Sequence, residues 1–208
     1  MPAVAVNPSA AATTVIESAA FVLALGYVLL SIRQIVWAWP LMIVSSVLYG
    51  MLFAGARLYG QAALQGVFVA VACWGWWQWR AGHDGASPLK VSALSPRARA
   101  QLAAAWAGST AIAALLLARL TDAASPTLDA FTTLGSLLAQ LLTARKITEA
   151  WPAWLVVNLV SVTLFVQQAL WITALLYAVF VLLSAAGWWQ WRHDAKRTAP
   201  VDPGNGFA

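Results

Sequence analysis

From Trp151 to Trp191 the chain runs without one charged side chain, and two shorter uncharged runs, Ala38 to Ala56 and Leu58 to Trp79, precede it. A soluble domain cannot keep stretches of that length uncharged, because each helix or strand needs a face that water solvates. A hydrocarbon core has the opposite requirement, about 20 apolar residues per spanning helix and no unpaired backbone polar group. The fold class that follows is an all-α integral membrane protein. Only 9% of residues are charged, against roughly 25% in soluble domains. The net charge of +5 is therefore read as membrane orientation rather than as a nucleic-acid footprint.

Hydropathy and breakers predict seven transmembrane helices near 16–33, 39–54, 60–80, 100–120, 128–144, 151–167 and 170–191, in a single transmembrane domain covering residues 1–208. Pro40 and Pro152 fall in the first turns of their helices, where a missing N–H costs nothing. The segment 81–99 reads as a loop, and the polar tail after Arg192, rich in Pro and Gly further on, reads as disordered. The first 16 residues carry no charge, so the basic start of a cleavable signal peptide is missing and the N-terminus is expected to stay attached.

With seven spans, the segments after the first, third, fifth and seventh share one side of the membrane. They hold Arg33, Arg80, Lys90, Arg97, Arg99, Arg145, Lys146, Arg192, Lys196 and Arg197, which is ten of the 12 Lys and Arg residues. The positive-inside rule then puts the C-terminus in the cytoplasm and the N-terminus outside.

The chain also repeats itself. Gly75-Trp76-Trp77-Gln78-Trp79-Arg80 recurs letter for letter as Gly187-Trp188-Trp189-Gln190-Trp191-Arg192, an offset of 187 − 75 = 112 residues. At the same offset Trp39-Pro40 matches Trp151-Pro152, Arg33 matches Arg145, and Asp129 answers Glu17. Each copy, 16–80 and 128–192, spans three helices, so the second would be inverted unless one more span intervened. The linker helix 100–120 supplies it. The expected layout is 3+1+3, two parallel repeats related by an axis along the membrane normal, with a solute site near the midplane at the repeat interface.

Polar groups inside a membrane are costly and therefore informative. The deeper candidates are Ser45, Ser46, Gln65, Gln140, Asn158, Ser161, Thr163, Tyr177 and Ser184. Hydroxyls can bond back to their own helix, whereas the amides of Asn158 and Gln65 need an outside partner. Asn158 can serve a solute or glue one helix to another. Trp151, Trp154 and Asn158, spaced by three and four, share one helix face, and indoles beside an amide suit a flat heteroaromatic ligand. Gln78 and Gln190 are paired by the duplication and read as either interfacial residues or gates. Trp76, Trp77, Trp188 and Trp189 read as an aromatic belt.

No titratable residue falls at the centre of a predicted span, which favours uncoupled movement of the solute. The one cysteine, Cys73, has no cysteine partner, and His83 and His193 are placed in loops without ligand spacing. Neither a metal site, a cofactor site nor a catalytic constellation is expected, so the chain is read as no enzyme.

Taken together, the stretch from Trp37 through Trp39-Pro40 and Tyr49 to Tyr59-Gly60, the repeated Gly-Trp-Trp-Gln-Trp, Ala144-Arg145-Lys146-Ile147 and Trp151-x-x-Trp154-x-x-x-Asn158 resemble the PnuC-type vitamin transporters. The resemblance covers nearly the whole chain. It implies a seven-helix 3+1+3 fold similar to that of the SWEET sugar carriers, in the bacterial inner membrane, passing a solute that a cytoplasmic kinase traps by phosphorylation. It implies substrate contacts at Trp154 and Asn158, with Gln78, Gln65 and Tyr177 as weaker carry-overs. Nicotinamide riboside is the preferred solute and thiamine or riboflavin the alternatives. The partners expected are that vitamin, membrane lipid and the kinase, with room for a homo-oligomer and none for nucleic acid. A sugar carrier is disfavoured because sugars need several hydrogen-bonding groups. A receptor or an embedded enzyme is disfavoured by short loops and the missing catalytic set.

Overall fold

The computed structural model describes residues 8–55, 59–81, 89–121, 125–167 and 171–198. Among them the chain forms seven α-helices: α1 (Pro8–Ile32), α2 (Ala38–Gly55), α3 (Tyr59–Ala81), α4 (Pro96–Leu120), α5 (Pro126–Ala144), α6 (Ala150–Gln167) and α7 (Trp171–Thr198). Four carry segments long and apolar enough to cross a membrane, Thr13–Ile32, Ala38–Gly55, Pro96–Leu120 and Ala174–Arg197, and a shorter apolar segment runs Ala150–Thr163. Burial is inverted relative to a soluble protein. Val22, Leu29, Val44, Met51, Leu116 and Leu182 face outward, while Ala20, Ala72, Ala139, Ser45, Ser46 and Ser161 are buried. Without a hydrophobic drive between helices in lipid, small and hydroxylated residues fill the contacts so that backbones approach closely.

Three expectations are corrected. Helix α1 begins at Pro8 rather than near 16, since Pro suits a first turn and the alanines after it continue the helix. Helix α4 begins at Pro96, with Ser95 as N-cap accepting a hydrogen bond from the Ala98 N–H at 3.2 Å, so Arg97 and Arg99 stand on a helix and not in a loop. Helix α7 continues past Arg192 to Thr198, carrying His193, Lys196 and Arg197 with it. Charge does not stop a helix, and Lys196 and Arg197 in its last turn complement the negative end of its dipole. Residues 56–58 with Arg57, residues 82–88 with His83, and residues 199–208 lie outside the described residues.

The chain divides into two compact units, residues 1–87 with α1–α3 and residues 88–208 with α4–α7. In the first, α1 packs on α2 and α2 on α3. Ser45 Oγ donates to the Ala20 carbonyl at 2.8 Å, and Gly26 leaves room for Leu41, whose Cδ2 would be 2.7 Å from an added Cβ. Trp39 is enclosed, edge-on to Trp79 with ring centres 5.3 Å apart, and lies flat on Gly75, where a Cβ would overlap its ring. In the second unit Trp151 meets Trp191 edge-on at 5.4 Å and lies on Gly187 in the same way. Trp106 of α4 stacks on Phe131 of α5 at 4.6 Å, beside Gly135.

The two α-helical turns also match bond for bond. Gln34 and Lys146 both sit in the left-handed region, with φ of 57° and 51°. Gln34 N–H donates to Ser31 O and Ile35 N–H to Leu30 O, just as Lys146 N–H donates to Thr143 O and Ile147 N–H to Leu142 O. This is a left-handed helix cap that satisfies the last carbonyls of α1 and α5. In the second unit the cap is covered by a strap of chain. Ser92 N–H donates to Lys146 O at 3.0 Å, and Thr148 N–H and Oγ1 both donate to Ser92 O at 2.9 Å. Glu149 then accepts the Leu94 N–H at 3.1 Å and Arg99 Nε at 2.7 Å. Burial under this strap pushes the Lys146 ammonium below its usual range.

Candidate functional site

Helices α6 and α7 run antiparallel, and two rungs join them. Trp151 meets Trp191, and seven residues on, Asn158 Nδ2 donates to Ser184 Oγ at 3.2 Å. Seven residues are close to two helical turns, so each helix contributes a seam. On α6 the seam holds Trp151 and Asn158 with Trp154 beside them, which places the three on one face as their spacing requires. On α7 it holds Trp191, Ser184 and Tyr177.

Asn158 is 6% exposed and Ser184 3%. The amide therefore does make the interhelical bond that is the structural alternative to a solute contact. Ser184 also donates to its own helix, to Phe180 O at 2.7 Å. Trp154 is half-buried, and its indole N–H donates at 3.4 Å to Thr143 Oγ1 of α5, whose own proton goes to Ala139 O at 2.8 Å. Tyr177 stands edge-on to Phe180 with ring centres 6.1 Å apart. Trp151 is buried deeper than a surface for a solute would be, and its Nε1 is enclosed without a hydrogen-bond partner, as is Nε1 of Trp39 at the matching position. Gln190 is half-buried on α7, next to the seam rather than on it.

In the first unit Gln65 and Gln78 do not converge. They are 78 − 65 = 13 residues apart on α3, about 20 Å of rise and about 140° around the helix axis. Gln65 is half-buried near Gly50 of α2, and Gln78 is buried. Thus the second unit sets Trp151, Trp154 and Asn158 on one face of α6 with Ser184 opposite the amide, while Tyr177 lies further along α7, 191 − 177 = 14 residues or about 21 Å of rise from the Trp191 rung, and Gln65 and Gln78 belong to the first unit. The residue that sequence reasoning undervalued is Ser184. It is one hydroxyl among several until the register across α6 and α7 sets it opposite the amide. At an offset of 112 the same rung in the first unit falls on Ser46 and Ala72, both buried.

Among the described residues no three of His, Cys, Asp and Glu gather as a metal site. His193 lies on α7 with its ring edge-on to Trp189 at 4.6 Å, and Arg192 sits over the Trp188 ring at 5.3 Å. Both pairs flank a groove of about 310 Å³ along the last turns of α7, an aromatic and basic surface of the kind found at a membrane interface.

The geometry is that of apolar helical units whose buried polar side chains are spread over all seven helices, and known proteins share the fold. The family model described as nicotinamide mononucleotide transporter matches residues 14–193. A riboflavin/roseoflavin transporter of Streptomyces davaonensis is 35% identical over 84% of this chain and 82% of its own. The nicotinamide riboside transporter PnuC of Escherichia coli is 25% identical over 74% and 75%. The crystal structure of the vitamin B3 transporter PnuC superposes with a TM-score of 0.70 at 26% identity, over 88% of this chain and 82% of that one. This chain therefore belongs to the nicotinamide mononucleotide transporter family, the PnuC-type vitamin transporters.

Proposed function

We propose that the chain is a facilitator for a vitamin with a flat heteroaromatic ring, and that riboflavin is its solute. The observation that carries this reading is the 35% identity to a riboflavin/roseoflavin transporter, against 25% for a nicotinamide riboside transporter. It moves the preference away from nicotinamide riboside, the solute expected from the motifs alone. Nicotinamide riboside is the second reading, supported by the likeness to the vitamin B3 transporter structure. The Trp154 and Asn158 face suits either ring, since an indole offers stacking and an amide reads one polar edge.

In this reading residues 1–208 act as one inner-membrane domain of two parallel three-helix repeats and a linker helix, N-terminus outside and C-terminus inside. Gln65, Gln78, Tyr177 and Gln190 line the path at other depths. The vitamin moves down its gradient, and a cytoplasmic kinase traps it. The test is counterflow: purified protein in liposomes preloaded with unlabelled riboflavin, nicotinamide riboside or thiamine, with each labelled vitamin outside in turn. Selective exchange of riboflavin is the expected result. Selective exchange of nicotinamide riboside would favour the second reading, and no exchange by folded protein would end the facilitator proposal.

A further inference from the structure

We infer that Ser184 is a positioning residue that locks the Asn158 amide with its carbonyl oxygen toward the solute, so that the site selects a ring edge bearing an N–H donor. The inference rests on the reading above that Asn158 meets the solute. It begins with proton accounting. A serine hydroxyl has one proton, and that of Ser184 is committed to Phe180 O at 2.7 Å within its own helix. Toward Asn158 the hydroxyl can then only accept. The amide must turn its NH2 to Ser184, as the 3.2 Å Nδ2 to Oγ contact records. The flipped amide would set two acceptors face to face in a buried place, which is the ground on which amide orientations are assigned.

With Nδ2 held, Oδ1 is directed away from Ser184. Among the described residues it has no hydrogen-bond partner, yet it is not one of the fully enclosed orphaned atoms, so it keeps an opening. A buried carbonyl of that kind is an acceptor waiting for a donor. The fold itself does not ask for the pair, because the equivalent rung of the first unit closes with Ser46 and Ala72. The ligand class that fits is a planar ring with an imide N–H or a carboxamide NH2 at its edge. Riboflavin has the first and nicotinamide riboside the second, whereas a ring with that nitrogen fully methylated has neither.

The test measures binding of riboflavin and of N3-methylriboflavin to the purified full chain. Wild-type protein is expected to prefer riboflavin by about tenfold or more, because blocking the donor leaves a buried acceptor unpaired. Ser184→Ala should collapse that ratio toward one at an unchanged melting temperature, since the amide is then free to turn. Ser184→Thr, which keeps the hydroxyl and its bond to the preceding turn, should restore it. An unchanged ratio in folded Ser184→Ala overturns the positioning role, and equal binding of both flavins by the wild type overturns the exposed acceptor even if the variants fail to fold. If the wild type binds nicotinamide riboside instead, the same comparison with its N,N-dimethylated carboxamide, which has no N–H, applies. Binding of neither vitamin overturns the functional reading itself, a result distinguishable from the other two.

Discussion

Two glycines show how much a missing Cβ can decide. Gly75 and Gly187 carry the flat rings of Trp39 and Trp151, and a Cβ at either would overlap ring carbons that have no flexible end to yield. Gly187→Ala and Gly75→Ala should each cost about 1–3 kcal/mol by overpacking. Gly108 of α4 meets nothing within 4 Å, so Gly108→Ala should instead hold or raise stability, as Ala exceeds Gly in helix propensity by about 1 kcal/mol. Melting of the three variants in detergent checks the contrast, and equal losses at all three would refute it. That these glycines recur was legible in the repeated hexapeptide. What each faces was not, because the Trp ring that covers it comes from another helix.

At the scale of elements, the strap 89–95 and the cap it covers form a clip between a non-helical segment and the turn from α5 to α6. Glu149 closes it by accepting from Leu94 and Arg99. The Arg99 side chain is half exposed, so the ion pair itself contributes little, and the backbone contact matters more. Glu149→Ala should speed hydrogen exchange at the Ser92 and Leu94 amides by roughly tenfold, equivalent to about 1.4 kcal/mol, while Glu149→Gln, still an acceptor for Leu94, should recover most of the protection. Unchanged exchange in Glu149→Ala would show that Val91 burial and the Ser92 bonds hold the strap alone. Helix order and the breaks at Pro40 and Pro152 could be read from the chain to within a few residues. The strap could not, since a one-residue bridge between Ser92 and Ile147 has no periodicity, and the end of α7 could not, since neither hydropathy nor charge marks where a solvated helix stops. The register between α6 and α7, which turns Ser184 from a generic hydroxyl into the partner of Asn158, is likewise set by packing and not by local pattern.

For the whole molecule, the placement of ionisable groups bears on energetics. Glu17 lies near the start of the apolar segment Thr13–Ile32, and Asp129 in the first turn of α5. Between Trp151 and Trp191 the α6 and α7 seam holds no Asp or Glu. Initial uptake into vesicles should therefore be unaffected when proton and sodium gradients are collapsed, and a marked drop would require a coupled mechanism. The repeated tryptophan seats have an optical consequence as well. Trp39 and Trp151 hold their indole N–H groups away from both water and any acceptor, whereas Trp37, Trp77, Trp171 and Trp189 are exposed. Their emission should separate into a blue component from the enclosed rings, Trp79 and Trp191 among them, and a red one from the outer set. The blue component would report, without any attached label, on whether a glycine seat in either unit loosens as solute passes.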